Sequence, residues 1–227
     1  MLRKIKIKKP LIIAAIIALP LIIALAAAGL YYSLNKIGIS ADSTSCSVQP
    51  YKQTTSPWGD DSYGYSVNDN TGAKTATTVA KSGCGPTAAA MVLKYWTGNG
   101  NINPGTTAQY CLDNGFRSKT GGPYNFPGCL EALAKHYNLK FSKVNASDAQ
   151  SYLKWYSKGS SNNLLPIIMT VGPCEGQKYT SASHYIVLTK IVGDTVYIND
   201  PNKNNTSDSV SNIFGSCKQN GYWYIHK

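Results

Sequence analysis

Ser82-Gly83-Cys84-Gly85-Pro86-Thr87 runs directly into Ala88-Ala89-Ala90-Met91-Val92-Leu93-Lys94-Tyr95-Trp96, and the chain is organised around this stretch. Small residues deliver a cysteine to the start of an apolar helix, expected over about Pro86 to Trp96. Pro86 falls in the first turn, where a helix tolerates a residue without an N–H. Unpaired N–H groups and the positive end of the helix dipole favour a thiolate there, which is the nucleophilic form of cysteine. A half-cystine or a small buried residue fits the same letters. What separates these readings lies about a hundred residues further on.

Upstream, Tyr51-Lys52-Gln53-Thr54-Thr55-Ser56-Pro57-Trp58-Gly59-Asp60-Asp61-Ser62-Tyr63-Gly64 reads as loop, its aromatics packing down on a core. Gln53 in this loop is either solvated or a side-chain amide able to donate to an oxyanion. Asn68 to Lys81 is Thr/Ala/Gly-rich and leads into the cysteine helix. Downstream, Thr97-Gly98-Asn99-Gly100-Asn101 breaks that helix, and a short helix is expected over Pro104 to Asn114, ended by Gly115. Cys129 to Tyr137 has apolar residues at helical spacing, and a further short helix is expected over Ser147 to Tyr156. His136 in the former reads as a partly exposed packing residue.

The second half changes period. Leu164-Leu165-Pro166-Ile167-Ile168-Met169-Thr170-Val171 is a short β-branched run and hence a buried strand. Strands are also expected over Tyr185 to Ile191, Thr195 to Asn199 and Gly221 to Ile225. Helices followed by an antiparallel sheet define an α+β domain.

His184 stands immediately before the second of these strands, after the small residues Thr180-Ser181-Ala182-Ser183. A cysteine nucleophile needs a base, and the base needs a third group on its other ring nitrogen to fix tautomer and orientation. Asp200, at the end of Val196-Tyr197-Ile198-Asn199-Asp200-Pro201, is the candidate. With a two-residue loop at Gly193-Asp194, residue 200 would fall opposite 187, on the face away from His184. A three-residue loop places it opposite 186 and diagonal to 184, about 7 to 8 Å away and on the same face. An odd-length turn or a bulge is therefore predicted at Val192-Gly193-Asp194, with Asn199 on the opposite face.

The 227 residues carry 22 Lys and Arg against 11 Asp and Glu, a net charge of +11. Arg3, Lys4, Lys6, Lys8 and Lys9 supply five of those charges, so the chain after Leu30 has 17 − 11 = +6. That surplus suits an anionic surface and lacks the clustering of a nucleic-acid binder. Leu11 to Leu30 is uncharged and long enough to cross a bilayer, with a basic flank that puts the N-terminus in the cytoplasm and the rest outside. An uncleaved anchor is the preferred reading of residues 1–30. A signal peptide cut after Ala26-Ala27-Ala28 is the alternative. Residues 31–47 form a polar stalk, and 48–227 form one domain.

Cysteines at 46, 84, 111, 129, 174 and 217 include no CxxC, and no HxxxH accompanies them, so nothing points to zinc. No motif indicates a nucleotide, flavin or other small-molecule cofactor. If Cys84 is free, Cys111 is expected to pair with Cys129 and Cys174 with Cys217, which leaves Cys46 in the linker.

SGCGPTAAAMVL, followed by SHYIVLTKIVGDTVYINDP and preceded by YKQTTSPWGDDSYG, resembles the papain-like cysteine peptidases related to the bacteriocin double-glycine leader peptidases, in their stand-alone branch without a transporter. The resemblance covers residues 48 to 203. It implies a papain-like fold with the nucleophile helix packed on an antiparallel sheet, Cys84 as nucleophile, His184 as general base and then acid, and Asp200 orienting His184. It also implies Gln53 as oxyanion donor together with the Cys84 N–H, although papain-type enzymes place that glutamine only a few residues before the cysteine, and here the separation is 31. The substrate implied is a peptide, a surface or secreted protein, or the peptide part of peptidoglycan. A catalytically idle binding module and an acyl transferase built on the same residues are the alternatives.

Overall fold

The computed structural model describes residues 44–45, 48–68, 70–120, 124–144, 166–174, 179–180, 183–203, 206–209, 212–213 and 217–227. All of them belong to one compact unit, Ser43–Lys227. The expected membrane segment 11–30, the helix 147–156 and Cys46 lie outside the described residues. Among the described residues, no helix is long and apolar enough to cross a membrane.

In chain order, β1 (Thr44–Ser45) precedes a 3-10 turn (Trp58–Asp60), β2 (Ser62–Val67), β3 (Lys74–Thr78) and the short α1 (Val79–Ser82). Three longer helices follow: α2 (Cys84–Thr97), α3 (Pro104–Asp113) and α4 (Phe126–His136). The remaining strands are β4 (Lys140–Val144), β5 (Ile167–Cys174), β6 (His184–Val192), β7 (Thr195–Asn199), β8 (Thr206–Ser209) and β9 (Cys217–His226). The domain is α+β, as its sequence indicates.

Helix α2 is central because residues 85 to 93 are all buried. Its alanine run is strongly helix-forming and lets neighbours approach closely. It ends where Gly98 takes a left-handed conformation at φ 67°. Helix α3 starts at a reciprocal cap: the Asn103 side chain accepts from Thr106 N–H, and the Thr106 hydroxyl accepts from Asn103 N–H. The Cys111–Cys129 disulfide, expected from the sequence, ties the end of α3 to the start of α4.

Strands β4-β9-β5-β6-β7-β8 lie in that order in one antiparallel sheet, and β1 pairs with the far end of β6. Both faces of its centre are covered, which is why β5 and β6 read as continuous apolar runs. Ile168, Val187, Trp223 and Ile225 pack with the helices. Ile167, Met169, Ile186, Leu188 and Tyr222 pack in a second cluster on the other face. Cys217 is in a disulfide, and the register sets the backbone of Cys174 opposite it.

Several expectations need correction. The predicted loop 51–64 and the segment after it contain a separate β2–β3 hairpin, whose exposed strands carry no apolar alternation. Strand β4 went unread because its side chains are exposed or half-buried. The cysteine helix begins at Cys84 itself, two residues before Pro86.

Candidate active site

The glycines of the Cys84 motif are required by contact. A Cβ on Gly83 would lie 2.5 Å from the Val79 carbonyl, and one on Gly85 would lie 2.9 Å from the Phe126 ring. Both close approaches demand glycine, so the turn from α1 into α2 can form and set Cys84 at the first helical position. Cys84 is half-buried and free. That disposes of the half-cystine reading.

The turn between β6 and β7 has two residues, Gly193 and Asp194, with Val192 opposite Thr195 and Gly193 at φ 56°. The predicted odd-length turn is therefore absent. A bulge supplies the missing residue further up: Leu188 pairs with Ile198 and Lys190 with Tyr197, so Thr189 is extra. Its hydroxyl donates to the Tyr197 carbonyl at 3.3 Å. The bulge sets Asn199 opposite Val187. Asp200, one residue on, thereby falls diagonal to His184. Asn199 turns away, as expected, and donates from Nδ2 to the Val48 carbonyl at 3.0 Å.

His184 Nε2 and Asp200 Oδ1 lie 2.7 Å apart, and both side chains are buried. With Nε2 donating to the carboxylate, Nδ1 is the ring nitrogen left to interact with Cys84. Oδ1 also accepts from the N–H groups of Asn202 at 2.8 Å and Lys203 at 3.0 Å, while Oδ2 is buried without a partner.

Burial works against a charged Cys84, but its hydrogen bond with His184, the His184 charge and the N–H groups of Tyr185 and Gly85 bring its pKa below the ordinary thiol value. Burial likewise opposes the His184 imidazolium, yet the bonds to Asp200 and Cys84 raise its pKa to about 9. Burial pushes Asp200 up, and the bond and charge of His184 with the two turn N–H groups hold it below the usual carboxylate range. All three directions favour a thiolate beside an imidazolium beside a carboxylate.

Gln53 is 4% exposed and is not a solvated loop residue. Its N–H donates to Pro201 O at 2.8 Å, and its Nε2 donates to Ala80 O at 2.7 Å. Ala80 is four residues before Cys84, so this is the carbonyl the Cys84 N–H would take if α1 ran unbroken into α2. Gln53 thus joins the turn after Asp200 to the turn before Cys84. Of the four residues singled out from the sequence, His184 and Asp200 are paired and interact with Cys84, while Gln53 is held on Pro201 O and Ala80 O in the turns flanking them.

Other neighbours escaped the sequence reading. Lys52 Nζ donates to Asp200 O at 2.8 Å and to Lys203 O. Arg117, the only arginine after Arg3, lies buried between the rings of Tyr63 and Tyr124, with its guanidinium carbon 4.4 and 4.7 Å from their centroids. A lone arginine in a lysine-rich chain was the available signal, because guanidinium stacks on aromatics where ammonium is hydrated. His136 is exposed beside Tyr110 and Tyr137 and far in role from the site. A cleft of about 640 Å³ lies elsewhere, between the 3-10 turn, β2 and α3.

A cysteine at a helix start, facing a histidine and an aspartate on adjacent antiparallel strands, is the arrangement of papain-like cysteine peptidases. The chain belongs to the Peptidase_C39 like family, whose model matches residues 45–225. Its α+β architecture with antiparallel sheets is the papain-like fold of that family. Similar solved structures include a putative C39-like peptidase from Bacillus anthracis, 19% identical, with a TM-score of 0.42 over 64% of this chain and 88% of that one. A double glycine motif protease from an AMS/PCAT transporter, in complex with its leader peptide, is 18% identical with a TM-score of 0.39 over 73% and 93%. No curated protein matches the chain.

Proposed function

We propose that this chain is an active cysteine peptidase that hydrolyses peptide bonds outside the membrane, using Cys84, His184 and Asp200. The observation that carries the proposal is the buried His184 Nε2–Asp200 Oδ1 pair at 2.7 Å together with a free Cys84 at the start of α2, whose charge His184 stabilises. The thiolate attacks the carbonyl carbon, and the oxyanion is held by the Cys84 N–H and Gln53 Nε2. His184 passes its proton to the leaving amine and then takes one from the water that splits the thioester. Asp200 keeps the imidazole in the tautomer that both transfers need.

Residues 11–30 hold the domain to the outer face of the membrane in this proposal, and the substrate is the peptide part of cell-wall material or a surface or secreted protein. The residual charge of +6 and the long apolar run support that placement. The test uses the full chain, purified without reductant, iodoacetamide and peptide mapping. Selective labelling of Cys84 at mildly acidic pH, abolished in His184→Ala, is the expected result. A Cys84 inert under those conditions refutes the proposal and leaves a binding module. External protease added to intact cells separates the anchored form, which is shaved from the surface, from a secreted one already in the medium.

A further inference from the structure

One side of Cys84 carries a wall that the proposed reaction leaves without a role. The Phe126 ring lies against Gly85 so closely that a Cβ there would clash. Two residues before Phe126, Tyr124 packs at 6.1 Å from the Phe126 centroid and edge-on to Tyr63 at 6.3 Å. The hydroxyls of Tyr124 and Tyr63 meet at 3.3 Å, and both phenols feel the Cys84 charge. Tyr124 is thus joined to the nucleophile turn through Phe126, whose ring lies against Gly85, the neighbour of Cys84. Yet Tyr124 is 41% exposed, whereas Tyr63 and Phe126 are fully buried.

Three devices hold this exposed ring in place. Arg117 stacks on it and is itself anchored by donating to Tyr63 O at 2.5 Å and Tyr65 O at 3.4 Å. Arg117 and Tyr124 also pair as an antiparallel bridge. The Cys111–Cys129 disulfide closes the segment that carries both. An exposed aromatic fixed in advance is a binding surface whose ordering cost is already met by the fold.

We propose that Tyr124 is a substrate-contacting, specificity-determining residue, whose exposed ring takes an apolar or aromatic side chain of the peptide held at Cys84. This rests on the peptidase reading above. Charge sets the chemistry: a ring that already carries the Arg117 guanidinium repels a second cation, whereas an apolar side chain gains burial and an aromatic one gains stacking. The Tyr124 hydroxyl is engaged with Tyr63, so the ring is what remains to select.

The test measures alkylation of Cys84 by tripeptidyl chloromethyl ketones, in which the thiolate displaces chloride to form a thioether. Leucine, phenylalanine or lysine replaces alanine at each of the two positions before the reactive residue, and iodoacetamide serves as the non-peptide reference. In the wild type, an apolar probe should react about tenfold faster than the all-alanine probe, and faster than its lysine counterpart. Tyr124→Ala should erase that advantage and Tyr124→Phe keep it, with iodoacetamide rates within about twofold throughout. Tyr124→Glu adds a second reading, because preference should pass to a lysine probe. An apolar advantage that survives Tyr124→Ala and Tyr124→Glu, with normal iodoacetamide labelling, overturns the wall alone. Failure of iodoacetamide to label wild-type Cys84 overturns the peptidase reading and this inference together.

Discussion

Replacing Asp200 by asparagine isolates charge from geometry. Oδ1 accepts from His184 Nε2 at 2.7 Å and from the N–H groups of Asn202 and Lys203 at 2.8 and 3.0 Å. An amide oxygen can take over all three bonds. The two backbone donors also decide which end of the amide faces inward, because an NH2 group there would meet two N–H groups. The histidine therefore keeps its tautomer, and only the carboxylate charge is lost. His184 stands at about 9 because the Asp200 bond, then the Cys84 bond and charge, outweigh burial. The interval from an ordinary 6.5 to that value corresponds to about 3 kcal/mol, of which Asp200 supplies a share. A group raised in this way keeps its proton up to its folded pKa, so wild-type kcat/KM should hold a plateau from the depressed Cys84 pKa up to about 9 and fall beyond it. In Asp200→Asn the alkaline limb should move toward neutrality by about one to two pH units, and kcat/KM at pH 7.5 should drop about tenfold. Asp200→Ala removes the acceptor as well, leaves two turn N–H groups unpaired and frees the imidazole to rotate, so its loss should reach about a thousandfold. A pH profile of kcat/KM for the three proteins decides the matter. Equal losses in both variants with an unmoved alkaline limb would refute the reasoning.

Gln53→Ala should lower kcat by about a hundredfold or more with little change in KM, and leave Cys84 alkylation by iodoacetamide intact, since the amide is assigned to the oxyanion and not to the thiolate. Replacing Cys111 and Cys129 together by serine should cost about 3 kcal/mol for a separation of 18 residues, read as a drop in Tm in thermal unfolding. Deleting Thr189 should be tolerated, with kcat/KM within about threefold of wild type, because Leu188 opposite Ile198 and Lys190 opposite Tyr197 then become adjacent rungs of an unbroken ladder. Deleting Val187 instead should abolish activity, because it turns His184 to the other face of β6.

The nucleophile and the base were legible because each sits in a local pattern. Glycines forced by close contact flank Cys84, and a β-branched run follows His184. Asp200 was legible only as a conditional: the alternation of side chains demanded one residue more than a two-residue turn provides. The structure supplies it at Thr189 instead of at Gly193, and the sequence carried a trace of this. Leu188 and Ile191 are three apart yet pack in the same cluster as Ile186, Val196 and Ile198, which a regular strand does not allow. The β2–β3 hairpin and β4 were missed for the opposite reason. Their strands are mostly exposed, so no apolar period marks them, and their pairing is decided by partners elsewhere in the chain.

The separation of 31 residues between Gln53 and Cys84 loses its force once the contacts are followed. A glutamine beside a thiol needs anchors at both ends of the site, and these can come from any segment that reaches them. Lys52 and Gln53 together grip the turn after β7: Lys52 Nζ donates to Asp200 O and Lys203 O, and Gln53 N–H donates to Pro201 O. The same turn feeds two of its own N–H groups to Asp200 Oδ1. The backbone carbonyl and one carboxylate oxygen of Asp200 are thus both held before His184 is considered, so the carboxylate is aimed by the turn and not by the imidazole. Gln53 Nε2 then ties that turn to Ala80 O, one helical turn ahead of Cys84. The loop that holds the amide thus has a fixed point on each side of the site, the backbone N–H on Pro201 O and Nε2 on Ala80 O, so the amide is held in place by contacts that need no closeness in sequence to Cys84.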